Sequence, residues 1–183
     1  AASTGGAGPC HVSVDPDGRV VLAANYGGGS VACLGLDDSG TLKPVASVDG
    51  RRGFVQHAWD RAGTEGINAK RQEKPHAHSI DVVPGRPHVV VCDLGLDRVL
   101  AYRLIPEEAT LEPLPAESAT TRPGAGPRHL AIHPDGGRAW CINELDLTVN
   151  SLAISPRCGL SVTGTVSALP ADVADRTGFY FVI

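Results

Sequence analysis

Short apolar runs broken by turn-forming residues recur along this chain. Val20-Val21-Leu22-Ala23-Ala24, His88-Val89-Val90-Val91-Cys92 and Arg138-Ala139-Trp140-Cys141-Ile142 are each fenced by Gly, Pro, Asp or Asn. Runs of this length, rich in β-branched side chains, predict strands. Residues 30–36, 98–104 and 148–154 supply a further strand after each run. Another short stretch precedes each run: Gly8-Pro9-Cys10-His11-Val12-Ser13-Val14, Pro75-His76-Ala77-His78-Ser79-Ile80-Asp81 and Gly126-Pro127-Arg128-His129-Leu130-Ala131-Ile132. Nowhere do apolar residues keep a period of 3.6 long enough to predict a substantial helix.

The three stretches align on His11, His78 and His129. The turns Pro16-Asp17-Gly18, Pro84-Gly85 and Pro134-Asp135-Gly136 then match, as do the ends Asn25-Tyr26, Asp93-Leu94 and Asn143-Glu144. A weaker fourth strand, such as Leu42–Val48, is expected to complete a unit. Four antiparallel strands recurring about every 50 residues predict propeller blades. The fold class is therefore all-β. About three blades are expected, over roughly 8–50, 74–118 and 126–168, in one partial propeller spanning 1–183. Between the first two lies a polar, weakly periodic insertion, about 51–74, expected to be a long loop.

Composition sharpens this picture in four places. Gly 22 and Pro 14 in 183 residues fit many turns rather than disorder, because 42% of the residues are hydrophobic. There is no Met, and the chain opens almost at once inside a blade, which points to a portion of a longer protein. Closed propellers have about 4 to 8 blades, so three would leave an open arc. A net charge of -4 and the lack of a basic run with interleaved aromatics argue against nucleic acid. No stretch approaches the roughly 20 apolar residues of a membrane span. The five cysteines form no Cys-x-x-Cys pair and read as reduced apolar residues, which predicts a cytoplasmic protein. Nothing in the sequence sets an oligomeric state.

Several motifs now combine. Gly124-Ala125-Gly126-Pro127-Arg128-His129 is followed by Asn143-Glu144-Leu145 and preceded by His76-Ala77-His78 and by Asp93-Leu94-Gly95-Leu96-Asp97-Arg98-Val99. Together with Ala24-Asn25-Tyr26 and Gly29-Ser30-Val31, this resembles the lactonase family of seven-bladed propellers. The family includes bacterial 6-phosphogluconolactonases and fungal carboxy-muconate cyclases. The resemblance implies a small anionic lactone as substrate, with no metal and no other cofactor. It places the family's catalytic His, Arg and Glu on His78, Arg128 and Glu144. The family's further arginine belongs to a later blade.

The residue types suit that chemistry. Lactone hydrolysis needs a group to activate water, a group to stabilise the developing oxyanion, and a hold on the substrate's anionic part. Glu144 or His78 can act as general base. Arg128 offers a permanent, planar cation for an oxyanion. Lys74, His76 and Arg71 border the inserted loop and, with His129, are expected to bind substrate. Rival readings are structural. Recurring histidines at the start of an inner strand can hold a neighbouring blade's backbone, and Arg128–Glu144 can be an inter-blade ion pair. Asp93 and Asp97 read as turn residues that cap backbone groups. His76 and His78 lack further metal ligands at recognisable spacing. Two other functions compete: a muconate-type lactonising cyclase and a non-catalytic propeller scaffold.

Overall fold

The computed structural model describes residues 1–48, 51–60 and 68–173. Its strands are β1 (Pro9–Val14), β2 (Val20–Asn25), β3 (Ser30–Gly35), β4 (Ser47–Val48), β5 (Arg51–Arg52), β6 (Phe54–Gln56), β7 (Ala77–Val82), β8 (His88–Asp93), β9 (Arg98–Ile105), β10 (Thr110–Pro113), β11 (Ala119–Thr120), β12 (Pro127–Ile132), β13 (Arg138–Asn143), β14 (Thr148–Ile154) and β15 (Leu160–Ser167). They form three antiparallel sheets, each led by one of the recurring stretches. The first has order β1-β2-β3-β6 and the third β12-β13-β14-β15. The middle sheet is the blade β7-β8-β9-β10, extended by β5 and β4 beyond β10, with β11 also paired to β9. The all-β blade architecture expected from the repeat is present.

Strand β8 of the middle blade is buried on both faces, and period-two alternation shows which face meets which neighbour. Val89 and Val91 of β8 join Val20, Leu22 and Ala24 of β2 in one core cluster. Val90 and Cys92 of the same strand join Ala139 and Cys141 of β13 in a second cluster. The core therefore lies between blades rather than within one. A strand buried on both sides reads as a continuous apolar run, which is why the runs of β2 and β8 carry no polar alternation.

The structure corrects two expectations about the first blade. Its fourth strand is β6, inside the segment expected to be a loop, and not Leu42–Val48. Leu42 makes only an isolated bridge to Leu36, while β4 pairs β5 at the edge of the middle blade. The physical reason is local. Pro44 has no N–H to donate to a ladder, whereas Val55 of β6 packs on the core shared with the middle blade. Gly53 makes the passage possible: a Cβ there would lie 2.7 Å from the Cys33 carbonyl and 2.8 Å from that of Ala109.

Candidate active site

The ladder itself marks the site. Pro9, Ala77 and Pro127 face Asn25, Asp93 and Asn143, and in each blade the register then slips by one residue. The residues left out of the pairing are Cys10, His78 and Arg128. A bulge leaves its extra residue unpaired and re-aims the side chain. The residue before each bulge pair then holds the end of the second strand: Gly8, His76 and Gly126 carbonyls accept from the Tyr26, Leu94 and Glu144 amides. Every blade thus presents two equivalent positions at one end of its sheet. They are Cys10 and Tyr26, His78 and Leu94, Arg128 and Glu144.

This pairing corrects the alignment on histidines. His11 and His129 are equivalent, but their counterpart in the middle blade is Ser79. His78 belongs with Arg128 and Cys10. The middle copy lacks the Gly-Pro step that marks the other two bulges, so its two histidines offered a register that was wrong by one residue.

Glu144 is the centre of the constellation. Its Oε1 accepts from Arg71 Nη1 at 2.7 Å, and its Oε2 accepts from Arg128 Nε at 3.0 Å. His78 Nε2 lies 3.9 Å from the same Oε2. All three of His78, Arg128 and Glu144 are buried, each with 8% exposure. The Arg128–Glu144 pair exists, but both residues sit in the third blade, so it is not inter-blade. Arg71 reaches Glu144 from outside that blade.

Aromatic groups wall the cluster. Arg71 Nε and Nη2 donate to the Tyr26 hydroxyl at 3.3 and 3.2 Å. Tyr26 stacks on His76 at 4.4 Å between centroids and meets the His78 ring edge-on at 5.2 Å. His129 contacts His78 at 5.1 Å and His11 at 5.6 Å. Cys10 Sγ lies 4.0 Å from His78 Nδ1. Burial, then the neighbouring Arg128 charge, lowers the His78 pKa to about 4. The same two causes lower that of His129. Burial pushes the Cys10 thiol up. At neutral pH His78 is therefore an uncharged imidazole with a lone pair, held beside the Arg128 guanidinium.

The fold thus brings together His78, Arg128, Glu144, Arg71 and His129 among the residues expected from sequence. His76 lies against them through Tyr26, but both of its ring nitrogens already have protein partners: the Tyr26 carbonyl at 3.0 Å and Glu73 Oε1 at 3.1 Å. Lys74 donates to the Gly27 carbonyl at 2.9 Å, on an exposed edge of the first blade. Sequence reasoning missed Tyr26 and Cys10 as parts of the site. A signal existed for Tyr26, since it occupies the repeat position of Glu144.

A family model described as Lactonase, 7-bladed beta-propeller, matches residues 1–179. The 6-phosphogluconolactonase of Bacillus subtilis (strain 168) is 35% identical over 173 residues, 94% of this chain and 45% of that protein. The enzyme of that name from Serratia proteamaculans is 34% identical over 167 residues, 90% of this chain and 43% of that protein. Among solved structures, a putative 6-phosphogluconolactonase from Bacteroides fragilis aligns with TM-score 0.79 at 27% identity, over 93% of this chain and 46% of that one. A periplasmic gluconolactonase from Pseudomonas aeruginosa aligns with TM-score 0.76 at 31% identity, over 93% and 45%. The chain spans less than half the length of these relatives. From its three blades, its bulged strand entries and these matches, the chain belongs to the lactonase family of seven-bladed β-propellers.

Proposed function

We propose that the protein to which this chain belongs hydrolyses a small anionic sugar lactone, with 6-phosphogluconolactone as the best-fitting substrate. The observation that carries the reading is a neutral imidazole, His78, facing a carboxylate gripped by two arginines at the entry ends of the blades. His78 Nε2 and Glu144 Oε2 are close enough for one water to touch both. His78 accepts a proton from that water as it attacks the lactone carbonyl. The carbonyl oxygen becomes an oxyanion, which Arg128 stabilises as a fixed cation in a low-dielectric site. The imidazolium formed is stabilised by Glu144 and returns its proton to the ring oxygen as the C–O bond breaks. Arg71, whose side chain is 35% exposed, and Lys74 on an exposed edge supply the positive charge for an anionic substituent. Both oxygens of Glu144 are engaged by arginines, so its role here is to orient them and balance the imidazolium rather than to act as the base. The five cysteines are free, which fits a reducing compartment, and on that ground we place the protein in the cytoplasm. Cell fractionation that found it outside would overturn that placement.

The test is hydrolysis of 6-phosphogluconolactone above its spontaneous rate, by the full-length protein and by its His78→Gln and Arg128→Ala variants. The expected loss is about 10²- to 10⁴-fold for each. Equal rates for the unchanged full-length protein and both variants would refute the reading.

A further inference from the structure

We propose that Asp97 is a positioning residue, whose single carboxylate sets both arginines of the site, Arg71 and Arg128. Asp97 lies in the turn between β8 and β9 with φ 53, in the left-handed region. The corresponding turns of the other blades carry Gly29 at φ 60 and Leu147 at φ 58. The turn therefore demands a left-handed backbone but not a carboxylate. Glycine satisfies that demand most easily, so an aspartate here calls for a separate explanation.

Its bonds supply one. Asp97 is 2% exposed. Its Oδ2 accepts from the Gly124 amide at 2.7 Å, and its Oδ1 accepts from the Gly126 amide at 2.8 Å and from Gln72 Nε2 at 2.8 Å. Its carbonyl also accepts from the Thr121 amide at 2.8 Å. Gly126 leads directly into Pro127 and the bulged Arg128, and its own carbonyl holds the Glu144 amide at 2.8 Å. Gln72 adjoins Arg71 in sequence. One buried carboxylate thus fixes the two backbone segments that deliver the two guanidiniums to Glu144. The junction between the first two blades needs no such device. There Gly29 packs against Pro75 so closely that a Cβ would lie 2.4 Å from the Pro75 carbonyl.

The kinetic part of the test rests on the lactonase reading; the spectroscopic part does not. Asp97→Gly keeps the left-handed turn and deletes the carboxylate, and Asp97→Asn keeps the shape but places an amide against backbone donors. Two signals in the labelled chain report on the site by NMR. One is hydrogen exchange at the Arg128 Nε–H, which donates to Glu144. The other is the titration of the His78 ring, which faces Arg128, His129, Glu144, Cys10 and Tyr26. In Asp97→Gly the Arg128 Nε–H is expected to exchange at least about tenfold faster. With Arg128 displaced, the His78 pKa is expected to rise by about one unit. Amide exchange in the middle of β8 serves as the control and is expected to stay unchanged. Unchanged Arg128 exchange and unchanged His78 titration in both variants would overturn the proposal. Where the chain hydrolyses the lactone, Asp97→Gly lowers kcat about 10- to 100-fold more than it changes KM, and the acid limb of the pH profile moves with His78. NMR shifts in the chain without lactonase activity in the full-length protein would sustain the positioning role and refute the lactonase reading.

Discussion

Replacing Glu144 with Gln tests whether one carboxylate holds the site together. Gln is nearly isosteric and keeps an acceptor oxygen, so the change removes charge rather than volume. The Glu144 side chain is 7% exposed and that of Arg128 10%, while Arg71 is 35% exposed. Two guanidiniums on opposite oxygens of one carboxylate sit roughly 5–6 Å apart, and at an effective dielectric of about 20 they repel by about 3 kcal/mol. In the unchanged protein Glu144 outweighs this. Without it Arg71 can swing partly into solvent, which relieves some of the repulsion, whereas Arg128 cannot. The expected loss is about 2–3 kcal/mol, below the 3–5 kcal/mol typical of breaking a fully buried pair. Urea unfolding reads this as a fall in midpoint of about 1–1.5 M at unchanged slope. Adding Arg128→Leu to Glu144→Gln removes the stranded charge, so the double variant is expected to lose about 1–2 kcal/mol less than the two single losses combined. A Glu144→Gln loss under about 0.5 kcal/mol, or strict additivity, would refute the clamp.

Three further outcomes are expected. The unfolded His78 ring takes up its proton near pH 6.5, whereas the folded ring resists to about pH 4. The unfolded state therefore binds more protons in that window, so stability present above about pH 6.5 falls as the pH drops and levels off below about 4. Allowing for partial solvent screening, the drop is about 2 kcal/mol, and urea midpoints across the window should show a flatter slope in His78→Gln. Gly95→Ala places a Cβ 1.8 Å from the Lys74 carbonyl; a thermal melt is expected to show a loss of more than about 2 kcal/mol, and a loss under about 0.5 kcal/mol would contradict the packing. Cys10 is exposed while Cys33, Cys92, Cys141 and Cys158 are buried, so a thiol reagent is expected to reach one thiol in the folded chain, slowed by its raised pKa, and all five in denaturant.

The blades were legible because their cause is local. Val89, Val90 and Val91 declare a strand buried on both faces, and Pro-Gly turns bound it. Arg128 and Glu144 were legible as candidates because the repeat does not require them, and His78 because the family resemblance falls on it. Their true equivalence was not, since a bulge shifts register without any marker in Ala77-His78-Ser79. β6 escaped for another reason: Phe54-Val55-Gln56 is too short to announce itself, and only its neighbours in space select it. Arg71 was placed beside the site for its charge, but its link to Glu144 arises from a backbone path that no spacing rule encodes. Asp97 read as an ordinary turn cap because its partners Gln72, Gly124 and Gly126 are distant in sequence.

Residues 51–56 run without interruption from the edge of the middle blade, where β5 pairs β10, to the edge of the first, where β6 pairs β3. Repeat arrays commonly unfold as units coupled only through their faces. Here a single ribbon of chain is hydrogen-bonded into two neighbours at once, so neither can open its rim while the other stays shut. The consequence is a two-blade cooperative unit: amides of β3 and β10 should share one opening free energy in native-state exchange. Strand β15, whose side chains are almost all exposed, should fray independently of both.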